Sequence, residues 1–373
     1  MFVTLMLLLL LLCDRSLARV QTQLRAVRSP HDQQQQQRSP PSSPSTRDKV
    51  LMLRGGRRPS METLAKEASR GIPPFDEASP IGELEIGMLR RVRSWVDDDE
   101  VFEQIQRDFL VCFTRGFADR RDYEEACFAY LDAALKWRAE FGVDAVTCID
   151  AANPSPERQK FEAVWHSGVV GHDSMGHPVV VEKFCHVGPE VLLAPTPTEH
   201  SFLMAQVFNQ EALREYITAQ NLAGSQGRRA YKHITLFDLQ GLGFGHTDKK
   251  FIHLVRLMNK YFSSFYPETV HKIVVINAPT AFTVIYNVLK SFLHPITVSK
   301  VLVVGSNYLP TLEANRIKLS AEYLAGEVPS WTRDLARIRA EYPEEVLRRG
   351  YLMPEEEERV AQLMQEERLP PPD

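Results

Sequence analysis

Three polar residues flank the most apolar stretch of this 373-residue chain, namely Glu268, Thr297 and Lys300. A lysine ammonium binds phosphate as a compact cation, a glutamate accepts hydrogen bonds from hydroxyl groups, and a threonine hydroxyl does either. These three residue types would therefore suit a phosphorylated polyol. They would equally suit a structural ion pair together with a cap at the end of a helix or strand, and the residue types alone leave both interpretations open.

The stretch that these residues flank predicts a strand, a helix and a second strand. The runs 273–276 and 301–304 are short, apolar and mostly β-branched, as in strands that are buried on both faces of a parallel sheet. Residues 280–293 between them are long enough for a crossover helix and are apolar around its circumference. A helix without a polar face, next to a few polar groups, indicates a pocket for an apolar ligand with a polar head.

The rest of the folded part predicts an α/β domain behind a small helical unit. Residues 233–305 follow the order β-α-β-α-β, which is typical of a mostly parallel sheet. The further predicted strands are 168–171, 179–184 and 233–239, and the further helices are 98–117, 123–141, 198–223 and 247–265. Asp122 and Glu125 have the spacing of a capping box, and Gly142 ends the helix that they begin.

The N-terminal part of the chain predicts a leader and a linker. Residues 2–12 form an eleven-residue run that is apolar except for Thr4. It is too short to span a bilayer and is typical of a signal-peptide core, and residues 16–18 resemble a cleavage site. A signal anchor and a later start at Met52 or Met61 are alternatives. The Ser-, Pro- and Gln-rich residues 19–60 resemble either a plastid-type leader or a plain disordered linker.

Composition and charge divide the chain into five predicted parts: a signal-like leader, a basic disordered linker, an N-terminal helical unit, a larger lobe and an acidic helical tail. Their predicted bounds are 1–18, 19–80, 81–150, 151–330 and 331–373. Residues 1–60 carry a net charge of +7, so the remainder carries −11 and the whole chain −4. A folded part this acidic is a poor nucleic-acid binder, and we expect no nucleic-acid partner.

Sequence motifs for catalysis, metals and nucleotide cofactors are missing or incomplete. Gly241, Gly243 and Gly245 follow a predicted strand, but their G-x-G-x-G spacing favours a tight turn over a dinucleotide site. No G-x-S-x-G nucleophile motif occurs, and the four cysteines beyond the leader are expected to be buried, reduced thiols. Five His and Cys residues cluster without CxxC or i,i+4 spacing, so we expect ordinary surface and turn histidines and no metal site. They are His166, His172, His177, Cys185 and His186.

Four motifs of the larger lobe resemble those of one lipid-binding family. They are GHDSMGHPV at 171–179, LFDLQGLG at 236–243, YPETVHKIVVINAP at 266–279 and KSFLHPITVSKVLVVG at 290–305. Residues 168–326 thereby resemble the lipid-binding lobe of the CRAL-TRIO family, in particular its phosphatidylinositol-transfer branch. LKWRAEFGVD at 135–144 resembles the small N-terminal helical unit of the same family.

The resemblance implies a CRAL-TRIO fold, in which a mostly parallel sheet floors a pocket for one lipid and a mobile gate helix closes it. The gate would occupy about residues 281–293, and its side chains facing the acyl chains would be Phe282, Ile285, Leu289 and Phe292. In the family's phosphoinositide-binding members, the lipid head group is held at the positions of Glu268, Thr297 and Lys300.

His233 and Thr235 lie on the third predicted strand. In the branch of the family that also binds phosphatidylcholine, both of these positions carry a residue with a hydroxyl group. Only Thr235 keeps the hydroxyl, so these two residues of the expected pocket wall leave open whether phosphatidylcholine binds.

We therefore expect a non-enzymatic carrier of phosphatidylinositol, or of another phospholipid, that exchanges its cargo through gate opening at a membrane surface and uses no other cofactor. His233 motivates one alternative, a carrier of a sterol, tocopherol-like or retinoid-like molecule. Another alternative is a lipid-sensing regulatory scaffold whose acidic C-terminal tail recruits a protein partner. The resemblance implies a cytoplasmic protein with peripheral membrane contact, whereas the leader suggests secretory or plastid targeting.

Overall fold

The computed structural model describes residues 77–95, 105, 107–117, 122–224, 229–280, 282–283, 286 and 299–366. Its strands are β1 (His166–Asp173), β2 (Pro178–Lys183), β3 (His233–Asp238), β4 (Val270–Ile276), β5 (Val301–Val303) and β6 (Ile317–Leu319). A short 3-10 helix spans Phe244–Thr247. Among the helices of these residues, none has both the length and the apolar character needed to cross a membrane.

The α-helices that precede β3 are α1 (Glu83–Trp95), α2 (Arg107–Gly116), α3 (Tyr123–Phe141), α4 (Val143–Thr147), α5 (Pro156–Val164), α6 (Pro189–Leu193) and α7 (Glu199–Ala223). Those that follow β3 are α8 (Lys249–Phe265), α9 (Leu309–Ala314), α10 (Ala321–Leu324), α11 (Trp331–Glu341), α12 (Glu344–Arg349) and α13 (Pro354–Glu366).

The six described strands form one sheet in the order β5-β4-β3-β2-β1-β6. Strands β2 to β5 pair in parallel, while β1 pairs antiparallel with both β2 and β6. The predicted α/β class with a mostly parallel sheet is therefore confirmed. Strands β1 and β4 begin before their apolar runs, because ladder pairing extends to residues such as His166 and Val270 that the runs do not include.

Neighbouring residues of the central strands are buried on opposite faces of the sheet. Ile234 and Leu236 of β3 belong to an apolar cluster that includes Leu312 of α9. Phe237 belongs to a second cluster, with Leu254 of α8. Both faces of these strands are therefore packed against other parts of the chain, which explains the continuous apolar run 273–276 in β4.

The C-terminal helix packs against the N-terminal helices. Val360 of α13 shares an apolar cluster with residues of α1, α2 and α3. Glu356 on the same helix is fully buried, forms an ion pair with Arg229, and accepts a 2.7 Å hydrogen bond from the backbone N–H of Ile81. Although the C-terminal segment is rich in acidic residues, it therefore contributes a buried charge to the core.

Three local sequence predictions are wrong. The predicted helix 98–117 is interrupted, because Ile105 lies in a bend and α2 begins at Arg107. Asp122 does precede α3, but its side chain makes no capping hydrogen bond, since its backbone (φ −96°, ψ 37°) is outside the extended region that capping requires. Cys148 is exposed, whereas the other three cysteines of the described residues are buried as expected, and all four are free.

Candidate functional site

A cavity of about 280 Å³ lies against one face of the sheet and is also lined by helices α7 and α8. Side chains from β2, β3 and β4 form its sheet wall: Val180, Glu182, His233, Thr235, Phe237 and Ile273. Side chains from the helices complete it, including Gln206, Gln210, Met258, Asn259 and Phe262. About half of the lining residues are apolar and the others are polar or charged, which suits a ligand that has both an apolar and a polar part.

Two of the three predicted head-group residues lie in the wall of this cavity, and both are half-buried. Glu268 precedes β4 and Lys300 precedes β5. Because β4 and β5 are neighbouring parallel strands, residues that precede them lie at the same edge of the sheet, and the backbone N–H of Ile273 donates to the Lys300 carbonyl at 2.7 Å. Thr297 lies outside the described residues, and its role stays a prediction.

Glu268 is held in an uncommon backbone conformation. Its φ of +56° is in the left-handed region, which costs a residue other than glycine about 1 kcal/mol. The chain of α2 passes close to it, since a Cβ added at Gly116 would lie 3.1 Å from the Glu268 Cγ. A side chain at position 116 would therefore crowd Glu268, and the glycine leaves room for it.

Lys232 is the charged partner of Glu268, and sequence reasoning missed it. Its Nζ donates a 2.7 Å hydrogen bond to Glu268 Oε2. Burial by itself would lower the pKa of Lys232, but Glu268, Tyr231 and Glu77 together outweigh burial and raise the pKa, so the ammonium is charged at neutral pH. The only signal in the sequence is a lysine directly before a buried strand, which does not identify the partner.

His233 and Thr235 lie side by side in the sheet wall of the cavity. The Thr235 hydroxyl and the His233 Nε2 are 3.1 Å apart and share a hydrogen bond. Burial lowers the pKa of His233 to about 4, so its imidazole is neutral at pH 7. The other ring nitrogen, Nδ1, is buried.

Glu182 is a carboxyl group of the cavity wall that the sequence analysis did not single out. It accepts hydrogen bonds from Trp165 Nε1 at 2.6 Å and from the Ser167 hydroxyl at 2.8 Å. Burial raises the pKa of Glu182 to about 7 despite these two donors. The signal in the sequence is one acidic residue at the end of the apolar run 178–181, too weak to predict a cavity position.

Only part of the predicted gate is described. Phe282 is buried in the apolar cluster that adjoins the cavity and includes Phe237 and Ile273. Ile285, Leu289 and Phe292 lie outside the described residues, and the gate itself stays a prediction.

The segment before the predicted gate is anchored at the end of β4. Asn277 has a left-handed backbone (φ +54°), and its Nδ2 donates a 2.7 Å hydrogen bond to Asp238 Oδ1 at the end of β3. Asparagine tolerates this backbone region better than most residues because its short side chain can hydrogen-bond locally. The bond thus ties the turn after β4 to the neighbouring strand.

Comparison with protein families finds a match to the CRAL/TRIO domain over residues 163–320. Among curated proteins, the phosphatidylinositol/phosphatidylcholine transfer protein SFH4 of Arabidopsis thaliana is 27% identical over 264 residues, covering 69% of this chain and 42% of that protein. The Arabidopsis protein SFH12, which has the same descriptive name, is 31% identical over 183 residues, covering 47% of this chain and 31% of that protein.

Two further similarities come from another curated protein and from a solved structure. The SEC14 cytosolic factor of Kluyveromyces lactis is 27% identical over 220 residues, covering 59% of this chain and 70% of that protein. The crystal structure of Sfh5 superposes with a TM-score of 0.41 at 16% identity, over 54% of this chain and 68% of that chain. This chain spans less than half the length of the Arabidopsis relatives SFH4 and SFH12.

Proposed function

We propose, since residues 163–320 match the CRAL/TRIO domain, that the protein binds a phospholipid and carries it between membranes without catalysing a reaction. The observation that carries the proposal is the cavity on the sheet, whose partly apolar walls include both Glu268 and Lys300. Its curated relatives are named as transfer proteins for phosphatidylinositol and phosphatidylcholine. We further propose phosphatidylinositol as the cargo.

The head-group arrangement suits an inositol phosphate. Lys300 supplies a cation for the phosphodiester, and the Glu268 carboxylate accepts hydrogen bonds from inositol hydroxyls. Lys232 already occupies one Glu268 oxygen, which leaves the second oxygen for a hydroxyl donor. Thr297 would add a hydroxyl group beside Lys300 in this proposal.

The apolar walls supply the reason for a closed cavity. Burying each methylene group stabilises a lipid by about 0.8 kcal/mol. Moving a diacyl lipid with roughly thirty methylene groups from an apolar site into water therefore costs on the order of 25 kcal/mol. A carrier must therefore keep the chains dry and open only at a bilayer. The cavity of about 280 Å³ that the described residues line is smaller than a whole diacyl lipid. In this proposal residues 281–293 form the gate that completes the binding site and opens at the membrane surface.

Vesicle transfer assays test the proposal directly. Donor vesicles with labelled phosphatidylinositol or labelled phosphatidylcholine, mixed with unlabelled acceptors, measure which lipid the full chain moves. Lys300→Ala and Glu268→Ala should abolish phosphatidylinositol transfer with an unchanged circular dichroism spectrum. Lys250→Ala, on the exposed side of α8, is the matched control and should transfer at the wild-type rate. Wild-type transfer by both cavity variants would rule out the head-group assignment.

His233 supports a second candidate cargo, a hydrophobic molecule with a single hydroxyl such as a sterol, tocopherol-like or retinoid-like compound. Its imidazole is neutral at pH 7 and lies in the cavity wall beside the Thr235 hydroxyl, so this part of the wall suits a weakly polar, uncharged group. Mass spectrometry of the lipid that co-purifies with the protein separates the two candidates. A phospholipid as the main species rejects the second candidate, and a monohydroxy hydrophobe rejects the first.

A further inference from the structure

Three side chains outside the lipid cavity bring metal-binding atoms together. Glu77, His177 and His271 each offer one ligand atom, and these atoms all lie within 4.8 Å of one another. We propose that these residues bind a divalent transition metal ion of the zinc class, with the carboxylate and two imidazoles as protein ligands. These three residues are about 100 positions apart in the sequence, so no local motif could have indicated the cluster.

His177 has the support that a metal-binding histidine needs. It lies directly before β2, and its ring is almost completely buried. Its Nδ1 bonds the Asp173 Oδ2 at 2.8 Å, and the Asp173 Oδ1 also accepts from the backbone N–H groups of Met175 and His177. A carboxylate on one ring nitrogen orients the imidazole and directs the other nitrogen, here Nε2, to a metal.

His271 is brought to His177 by an irregularity in the sheet. His233 of β3 pairs with Val270, but the next residue, Ile234, pairs with Lys272, so that His271 is the extra residue of a bulge. Bulges redirect a side chain relative to regular strand geometry. The His271 ring stacks on the His177 ring with centroids 3.9 Å apart, and no described residue hydrogen-bonds it.

Glu77 directs one carboxylate oxygen at the histidines and is anchored through the other. Its Oε1 hydrogen-bonds His177 Nε2, while its Oε2 accepts 2.9 Å hydrogen bonds from the backbone N–H groups of Tyr231 and Lys232. Two imidazoles and one carboxylate are a recurrent ligand set of zinc, with water at a fourth position. Mg²⁺ and Ca²⁺ prefer oxygen ligands throughout, so the cluster should discriminate against them.

The competing interpretation is a metal-free hydrogen-bond latch from Asp173 through His177 to Glu77. The latch explains these three residues, but it gives no role to His271, whose ring has no hydrogen bond to any described residue. The two rings are now nearly parallel, at 17°, so a metal requires the His271 ring to rotate until its lone pair points at the ion. A half-buried ring without hydrogen bonds can make this rotation.

Metal titration of the full chain distinguishes the two interpretations. After treatment with a chelator and dialysis, isothermal calorimetry with ZnCl₂ should show one tight site, and MgCl₂ should show none. His271→Asn should weaken zinc binding by at least tenfold, and Asp173→Asn by about 10- to 100-fold through loss of ring orientation. His253→Asn is the matched control, because this exposed histidine pairs with Glu199 away from the cluster and should leave the affinity unchanged.

A second measurement keeps the result interpretable if a variant folds poorly. Zinc that binds only the folded state raises the melting temperature, and the rise should disappear in His271→Asn and in Glu77→Gln. Glu77→Gln retains an amide oxygen for the Tyr231 and Lys232 backbone donors. Absence of zinc binding by the wild-type chain, or equal affinity in the wild type and both variants, would overturn the metal site and leave the latch.

Discussion

Lys232 Nζ donates a 2.7 Å hydrogen bond to Glu268 Oε2, and the two side chains differ in exposure: 8% for Lys232 and 31% for Glu268. The Glu268 carboxylate therefore pairs with a buried ammonium group, while part of the Glu268 side chain itself remains exposed. This pairing fixes one oxygen of Glu268 at the position where the proposed head group would bind.

Removal of either partner should leave the other charge uncompensated. In a double-mutant cycle of Lys232→Met and Glu268→Gln, we expect a coupling of about 1–2 kcal/mol in the free energy of unfolding, between the values for exposed and fully buried pairs. Urea denaturation of the four proteins measures it. The exposed pair Arg91–Glu124 is the control and should couple by less than about 1 kcal/mol. Equal coupling in both pairs would contradict the expectation.

Glu182 should make stability depend on pH. Burial raises its pKa from 4.5 to about 7, so between these values the folded state keeps a proton that the unfolded state has lost. The free energy of unfolding should therefore fall as pH rises from 4.5 to 7, by about 3 kcal/mol for this group alone. Because the glutamine in Glu182→Gln cannot titrate, the free energy of unfolding of this variant should not show this contribution to the decrease between pH 4.5 and pH 7.

Urea denaturation of the wild type and of Glu182→Gln at pH 5 and pH 8 measures how much the free energy of unfolding of each protein changes with pH. The matched control is Glu190→Gln, an exposed acidic residue of α6, which should retain the wild-type pH dependence. If Glu182→Gln loses as much stability as the wild type between the two pH values, the carboxyl group is already ionised at pH 5 in the folded protein.

Neighbouring residues of β3 should respond differently to the same enlargement. Thr235→Phe projects into the cavity, so it should cost little stability but lower the amount of co-purified lipid. Ile234→Phe enlarges a side chain in the packed core on the opposite face and should cost about 1–3 kcal/mol. Urea denaturation and lipid extraction of both variants check this, and lipid content unchanged in Thr235→Phe would argue that the ligand binds elsewhere.

The buried carboxylate of α13 should matter for stability far more than its acidic neighbours. Glu356→Gln leaves the Arg229 guanidinium buried without a counter-charge and should cost about 3–5 kcal/mol. Glu358→Gln changes an exposed residue of the same helix and should alter stability by less than about 0.5 kcal/mol. Chemical denaturation of both variants provides the comparison; similar midpoints would show that the Arg229 ion pair contributes little.

Local sequence was sufficient to predict the α/β class and the parallel strands. Strands that are covered on both faces are mostly apolar, so β4 and β5 were visible as the short runs 273–276 and 301–304. The position of Glu268 and Lys300 in one cavity also followed from sequence order, because each precedes one of two neighbouring parallel strands. The family motifs predicted the CRAL/TRIO match at residues 163–320 for the same reason: they lie in and beside these strands.

Tertiary structure alone decided which polar groups meet. Lys232 reaches Glu268, Arg229 reaches Glu356, and Glu77 reaches His177, over 36, 127 and 100 residues of sequence. A bulge of one residue in β4 brought His271 to His177, and no apolar pattern encodes such a shift. Hydrophobic periodicity reports which face of an element is buried, whereas pairing between distant polar side chains depends on the register and packing of the whole chain.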